Sequence, residues 1–156
     1  MEQKRVTVDT MLLMEQYKEL LRTVKTLPLL VTGNSMAPFL VDRRDTVYLS
    51  GIRRPLRRGD IVLYQRRSGA YILHRICRRE GDTFTMVGDA QTQLERGICR
   101  EQIFAVVTAA ERKGRWQEPG CFWWNFFANV WIHMVPIRPV LLRAYRFARK
   151  IFGRKP

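Results

Sequence analysis

Hydrophobic and polar positions divide the chain into three zones, and the first is helical. In residues 1–26, apolar side chains recur at the three- and four-residue spacing of a helix. These positions are Leu13, Tyr17, Leu20, Leu21 and Val24. Charged residues fill the places between them, which predicts one amphipathic helix that ends near Lys25. Asp9 or Thr10 is the expected N-terminal cap, because short polar side chains accept hydrogen bonds from the first turn.

The second zone, residues 28–115, has the pattern of short strands rather than helices. The predicted strands are Leu29 to Val31, Thr46 to Leu49, Ile61 to Gln65, Tyr71 to Cys77, Phe84 to Val87 and Ile103 to Thr108. Glycine-containing turns separate several of them, and no long helix lies between them. A parallel βαβ sheet is therefore excluded. The pattern predicts a mainly β fold, with a compact coiled or barrel-like sheet between the N-terminal helix and a C-terminal helical segment.

The third zone, residues 116–156, joins an aromatic cluster to a basic helix. Residues 121–135 are rich in Trp and Phe. Val140 to Phe152 has a helical pattern, with apolar residues on one side and Arg143, Arg146 and Lys150 on another. Such a segment suits an anionic membrane surface, because Trp favours the headgroup level and basic residues attract acidic lipid. A helix that simply covers the β core is the alternative. Single-stranded nucleic acid is disfavoured, because the aromatic residues are contiguous rather than interleaved with basic ones.

Composition limits the remaining possibilities. The chain has 156 residues, a single domain's length with a small appendage, and a net charge of +14. Three cysteines without CxxC spacing favour neither a disulfide framework nor a zinc site, and the sequence suggests no cofactor. No signal peptide or clear transmembrane helix is predicted. We expect a peripheral membrane protein, on the cytoplasmic face because a translocation signal is missing.

The segment that could do chemistry is a turn directly after the first predicted strand. It reads Gly33, Asn34, Ser35, Met36, Ala37 and Pro38. A glycine-preceded turn can expose a hydroxyl and direct backbone N–H groups at one point. Acyl transfer needs such a nucleophile together with an oxyanion hole. The alternative is an ordinary turn serine.

A serine nucleophile needs a base, and the composition of the β zone restricts the choice. From Ser35 to Arg112 the chain contains no lysine, although arginine is abundant. Arginine does not lose its proton in this pH range. His74 is the one histidine of this zone, so it is the base by elimination if the zone is catalytically self-contained. The alternative is a hydrogen-bonded strand histidine. His133, in the aromatic run, is interpreted as a packing or interfacial residue.

A carboxylate on the second ring nitrogen commonly orients a histidine base. Asp89, which follows the strand ending at Val87, is the candidate. Asp60 and Asp82 lie in Gly-Asp turns and are interpreted as structural.

These motifs, in this order, resemble a known family. The series Gly33-Asn34-Ser35-Met36-x-Pro38, Gly59-Asp60-Ile61-Val62, His74-Arg75-Ile76 and Gly88-Asp89 is similar to the signal peptidase and LexA-type serine peptidase superfamily. A histidine in place of the frequent lysine makes it resemble the endoplasmic-reticulum and SipW-like Ser/His branch. The resemblance covers about residues 28–110.

The resemblance implies a cofactor-free peptidase with Ser35 as nucleophile, His74 as base and Asp89 as orienting acid. Gly33, Asn34, Met36 and Pro38 would form the oxyanion and substrate-binding turn. The peptide or protein substrate would bind as an added strand. The function predicted is a serine endopeptidase of the signal-peptidase type that cleaves leader-like peptides.

The chain also departs from the family. Gly33 stands where relatives often have a serine, and Ala90 where the Ser/His branch has an asparagine. The N-terminal helix is too short to span a membrane or to form a helix-turn-helix domain. A catalytically inactive peptide-binding module of the same fold is therefore an alternative, and a basic nucleic-acid-binding protein is a further one.

Overall fold

The structure, a computed structural model, describes residues 10–153 as eight strands and three helices. The helices are α1 (Thr10–Thr23), α2 (Phe122–Asn129) and α3 (Arg138–Phe152). The strands are β1 (Leu27–Leu30), β2 (Thr46–Ser50), β3 (Ile61–Gln65), β4 (Tyr71–Glu80), β5 (Thr83–Val87), β6 (Glu95–Cys99), β7 (Ile103–Arg112) and β8 (Arg115–Gln117). Short 3-10 segments cover Arg100–Gln102 and Trp131–Ile137. The prediction of a mainly β fold, with helices before and after the strands in the chain, is confirmed.

The strands form one antiparallel sheet in the order β1-β2-β7-β3-β4-β5-β6, and β8 pairs with β7. Two strands were not predicted. β6 begins with two charged residues, Glu95 and Arg96, followed by Gly97 in a left-handed conformation (φ 74°), so it lacks a β-rich composition. β8 has only three residues, and its pairing with β7 comes from the preceding turn at Lys113 and Gly114 rather than from hydrophobic alternation.

The sheet is coiled, with a hydrophobic core on each face. The first core lies under α1 and α2 and includes Phe39, Leu63 and Trp124. The second contains Val62, Tyr64, Ile76 and other residues of the central strands. β3 contributes alternate residues to both cores and is buried over Ile61–Tyr64. Burial on both faces makes the central strands rigid supports for the loops at their ends.

Helix α1 confirms the predicted N-terminal helix, although the side chains that it buries differ in part from those predicted. Met14 and Leu21 are its buried side chains, whereas Leu20 is 45% exposed. The helix therefore presents a narrower apolar stripe to the sheet than the sequence spacing predicts. The proposed caps, Asp9 and the side chain of Thr10, lie outside the described part of the chain.

The aromatic cluster is divided between buried and exposed side chains. Trp124, Phe127 and Trp131 are buried against the first core, which matches a segment that covers the sheet. Phe122 and most of α3 remain exposed. None of the helices within residues 10–153 is both long and apolar enough to cross a membrane.

Candidate functional site

Ser35 lies in the turn that follows β1, half-buried beside the sheet. The Gly33 N–H donates to Asp42 Oδ1 (2.8 Å), and the Val31 N–H donates to the carbonyl of Asp45 (2.9 Å). The turn's own backbone hydrogen bonds begin at Ala37 and Leu40. Within the described residues this leaves the N–H of Ser35 unused by the turn, which is what an oxyanion hole requires.

His74 lies on β4 with its imidazole almost fully buried. Its ring and the Ser35 turn line the same cavity, which has a volume of about 200 Å³. Apolar residues Val31, Met36 and Leu73 contribute to the walls. The structure therefore brings the predicted nucleophile and the predicted base to one small pocket.

Burial decides the charge of this histidine. Desolvation lowers the pKa of His74 from 6.5 to about 4, although the nearby Glu95 carboxylate acts in the opposite direction. The imidazole is consequently neutral at physiological pH. A neutral ring can accept a proton, so its protonation state is that of a general base.

The histidine has a hydrogen-bond partner that the sequence interpretation missed. His74 Nδ1 lies 3.3 Å from the hydroxyl of Tyr64, on the neighbouring strand β3. The Tyr64 hydroxyl donates to Glu95 Oε2 over 2.6 Å, and Arg66 donates to both oxygens of Glu95 at 2.8 Å. Burial raises the pKa of Tyr64, whereas the hydrogen bonds from Arg66 lower the pKa of Glu95. The chain of contacts therefore ends in an ionised carboxylate.

Asp89 is not placed as the orienting acid. Both of its carboxylate oxygens accept hydrogen bonds from Arg75, at 3.0 and 2.8 Å, and both side chains are fully buried. Arg75 also donates to the carbonyl of Gly59 over 2.8 Å. The expectation that Asp89 hydrogen-bonds His74 is thus corrected: its carboxylate is engaged by an arginine, because neither charge is buried here without its counter-ion.

This ion pair nevertheless contributes to the site. It holds together three of the segments that carried the family resemblance, namely Gly59-Asp60, His74-Arg75 and Gly88-Asp89. The Ala90 N–H, next to Asp89, donates to the carbonyl of Ser35 over 2.8 Å. Asp89 therefore helps to fix the position of the serine turn through the backbone.

Gly88 lies where the segment that contains Asp89 packs closely against the Ser35 turn. A Cβ atom at Gly88 would lie 2.5 Å from the carbonyl oxygen of Ser35, closer than two such atoms can approach. The absence of a side chain therefore permits the two segments to pack. Sequence inspection selected Gly88 for its place in a motif, and the structure gives the steric reason.

Side chains of the C-terminal zone form hydrogen bonds with the backbone of residues 88–91. The indole of Trp131 donates to the carbonyl of Asp89 (2.8 Å), and buried Arg138 donates to the carbonyls of Gly88 and Gln91, both at 2.8 Å. This part of the aromatic zone is structural. The basic outer part of α3 is free of such contacts with the site.

The four predicted binding-turn residues have different environments. Gly33 has a left-handed backbone (φ 83°), which explains the glycine at this position. Asn34 is exposed, and Met36 is buried in the first core as well as lining the cavity. The carbonyl of Pro38 accepts a hydrogen bond from Arg112 (3.1 Å), away from the cavity.

One strand edge beside the cavity is unpaired. Residues 71–74 of β4 pair with β3 on one side, whereas pairing with β5 begins only at Arg75. The second edge of residues 71–74 has no strand partner within residues 10–153. Tyr71, Ile72, Leu73 and His74 all line the cavity. An extended chain laid along this edge would therefore lie beside the cavity that Ser35 and His74 line.

Tyr64, Glu95 and Arg66 were not singled out from the sequence. Tyr64 has the spacing of a core residue on a predicted strand, and Glu95 falls in β6, which was not predicted. No local motif links them, because 31 positions separate Tyr64 from Glu95. The contact joins β3 to β6, two strands that are not neighbours in the sheet, so the tertiary fold creates it.

Comparison of the chain with protein-family models, with curated proteins and with solved structures gave no match. The resemblance to the signal peptidase superfamily therefore stays a prediction from the ordered motifs. The three cysteines are free and half-buried, and no group of three potential metal ligands occurs in the described part of the chain.

Proposed function

We propose that this protein is a serine endopeptidase of the signal-peptidase type, with Ser35 as nucleophile and His74 as general base. The observation that carries the proposal is the shared cavity, which has a half-buried serine on one wall and a neutral, buried histidine on another. Ordered motifs from the sequence support the same assignment.

The chemistry follows from these groups. His74 takes the Ser35 hydroxyl proton as Oγ bonds to the carbonyl carbon of the substrate. The carbonyl oxygen then carries the negative charge and accepts a hydrogen bond from the Ser35 N–H. His74 returns the proton to the leaving amine, and water hydrolyses the acyl-enzyme in a second step. The chain would need no metal for these steps.

The free edge of β4 supports an extended substrate. Main-chain hydrogen bonds to residues 71–74 would give affinity without specifying side chains. The cavity of about 200 Å³ is smaller than the 300–1,000 Å³ typical of sites for whole small molecules. It has room for one or two short apolar side chains beside Val31 and Met36. The cavity therefore favours a peptide with small side chains, and the family resemblance implies that these precede the cleaved bond.

Peptide cleavage by the purified full chain tests this proposal. A synthetic leader-type library is incubated with wild-type protein and with Ser35→Ala and His74→Gln, and the products are identified by mass spectrometry. Each variant is expected to lower kcat/KM by at least about 10³-fold. The controls are Ser68→Ala and His133→Gln, both at exposed positions, which should leave cleavage unchanged.

Two outcomes would overturn the proposal. Undiminished cleavage by Ser35→Ala removes the serine mechanism. Peptide binding without cleavage, equal in wild-type protein and Ser35→Ala, indicates the inactive peptide-binding module instead.

We also propose that α3 attaches the protein peripherally to an anionic membrane. The helix holds five basic residues and no acidic one over Arg138–Phe152. Phe147 and Phe152 are 67% and 81% exposed, and Val140 is 70% exposed. Exposed apolar side chains beside basic ones match an acidic lipid surface, such as the cytoplasmic leaflet provides.

Vesicle co-sedimentation tests the attachment. The full chain is compared with the triple variant Arg143→Glu, Arg146→Glu, Lys150→Glu, on vesicles with and without phosphatidylserine. Each basic residue near an acidic surface contributes about 1 kcal/mol, so the loss of three attractions alone should lower the partition coefficient by more than about 100-fold, and the added negative charges increase the loss. A matched triple reversal at the exposed Arg57, Arg58 and Arg115 is the control. Equal loss in both triple variants would contradict a specific role for α3.

A further inference from the structure

We infer that Tyr64 and Glu95 together position His74 as the base, so that a glutamate acts on the histidine through a tyrosine hydroxyl. The inference rests on the proposed peptidase function, and it replaces Asp89 in the orienting role. Neither residue touches the nucleophile, so both are positioning residues.

The available protons determine which group donates in the hydrogen bond between Tyr64 and Glu95. The Tyr64 hydroxyl has one proton, and an ionised carboxylate can only accept. The 2.6 Å contact between Tyr64 Oη and Glu95 Oε2 is therefore an O–H donated by the tyrosine. Its short length is typical of a charge-assisted hydrogen bond. Arg66 binds both Glu95 oxygens and keeps this carboxylate ionised.

The tautomer of His74 follows. With its proton directed at Glu95, Tyr64 Oη presents only lone pairs to the imidazole. The 3.3 Å contact with His74 Nδ1 is then an N–H donated by the ring. A neutral imidazole carries one proton, so Nε2 is left with the lone pair.

This tautomer is the one that the reaction needs. If Nε2 carried the proton, the ring could not take the Ser35 proton through that atom. When Nε2 accepts it, the imidazolium keeps its Nδ1–H on Tyr64, and the charge is stabilised by the Glu95 carboxylate. The proton moves from Ser35 Oγ to Nε2 and from there to the leaving amine, and neither Tyr64 nor Glu95 changes protonation.

Two further charged groups, Asp89 and Arg66, act on the ring through their charge. Asp89 raises the pKa of His74, as Glu95 does, and Arg66 lowers it. Arg75, the next residue on β4, binds both Asp89 oxygens. Among the described residues, Tyr64 is therefore the hydrogen-bond partner that fixes the imidazole.

Nitrogen NMR of His74 tests the inference independently of catalysis. The ¹⁵N shifts of the ring distinguish the two neutral tautomers in the intact full chain. Wild-type protein is expected to show protonated Nδ1 and bare Nε2. Glu95→Gln should move the population toward protonated Nε2, because the tyrosine proton is then free to turn to Nδ1. Glu101→Gln, an exposed glutamate, is the matched control and should show the wild-type pattern.

Kinetics supply the second readout. Tyr64→Phe and Glu95→Gln should lower kcat by on the order of 10- to 100-fold with little change in KM, by analogy with the loss when the outer-shell partner of a metal-bound histidine is removed. Tyr48→Phe on β2 is the control for the lost hydroxyl. The acid limb of the kcat/KM profile should move to lower pH in Glu95→Gln and to higher pH in Arg66→Gln. A merely structural role would not move the limb in opposite directions.

The outcomes separate the two proposals. A wild-type tautomer pattern and unchanged kcat in both Tyr64→Phe and Glu95→Gln would overturn the positioning role while leaving the peptidase proposal intact. Absence of cleavage by wild-type protein overturns the proposed function, and the NMR result still decides whether Tyr64 and Glu95 fix the ring.

Discussion

The buried pair of Arg75 and Asp89 permits the sharpest test of how the site is built. Removing one partner leaves the other charge buried without its counter-ion, which costs about 3–5 kcal/mol. We therefore expect Arg75→Met and Asp89→Leu each to lower the free energy of unfolding by that amount. A domain's total stability is about 5–15 kcal/mol, so the loss is readily measured.

The double variant, Arg75→Met with Asp89→Leu, should behave differently. Both charges are then absent, and apolar replacement of a buried pair is often neutral. The carbonyl of buried Gly59 loses its donor, which costs about 1–3 kcal/mol. The double variant should thus be more stable than either single variant.

Urea unfolding followed by tryptophan fluorescence measures these free energies, and peptide cleavage is measured on the same samples. If Asp89 acts through structure alone, the double variant regains activity together with stability. A double variant that is stable but inactive would refute this reasoning and return the Asp89 carboxylate to the catalytic machinery. Additive losses in the double variant would also contradict it, because they would mean that the two charges do not depend on each other.

Three further predictions follow from particular contacts. Gly88→Ala should lower kcat by at least about 10-fold, because its Cβ would displace the Ser35 carbonyl that lies 2.5 Å away. Trp131→Phe should lower the free energy of unfolding by about 1–3 kcal/mol by removing the donor to the Asp89 carbonyl, as measured by urea unfolding. Burial of neutral His74 should make stability fall as pH drops from 6.5 toward about 4, because only the unfolded chain then takes up this proton.

The pKa shift of His74 gives the expected change in the free energy of unfolding with pH. A shift from 6.5 to about 4 corresponds to about 3 kcal/mol at most. His74→Gln should remove this part of the pH dependence, whereas His133→Gln should retain it. Equal slopes in His74→Gln and wild-type protein would show that the ring is not buried in its neutral form. Wild-type kcat in Gly88→Ala, or wild-type stability in Trp131→Phe, would contradict the corresponding contact.

Local patterns predicted the strands and helices where composition was distinctive. β3 and β4 are rich in β-branched and aromatic residues, and α1 has helical periodicity. β6 was missed because charged residues and Gly97 give it no strand composition, so only its pairing with β5 makes it a strand. Element type was therefore readable where the side chains themselves favour it.

The candidate site likewise contains residues that the sequence indicates and residues that it does not. Ser35 and His74 could be selected because catalysis restricts the residue types that can serve, and the lysine-free β zone narrowed the choice. Asp89 was given the orienting role because the sequence does not show that a neighbouring arginine, Arg75, engages it. The contact of Tyr64 with Glu95 depends on strand order, which local spacing does not specify.

The most direct test of the central claim compares peptide termini in cells that express the native chain, Ser35→Ala or the control Ser68→Ala at equal levels. Mass spectrometry of protein and peptide ends would identify the cleaved bonds. The account predicts a set of new termini following small residues, present with the native chain and Ser68→Ala and absent with Ser35→Ala. Identical termini in all three strains would contradict it.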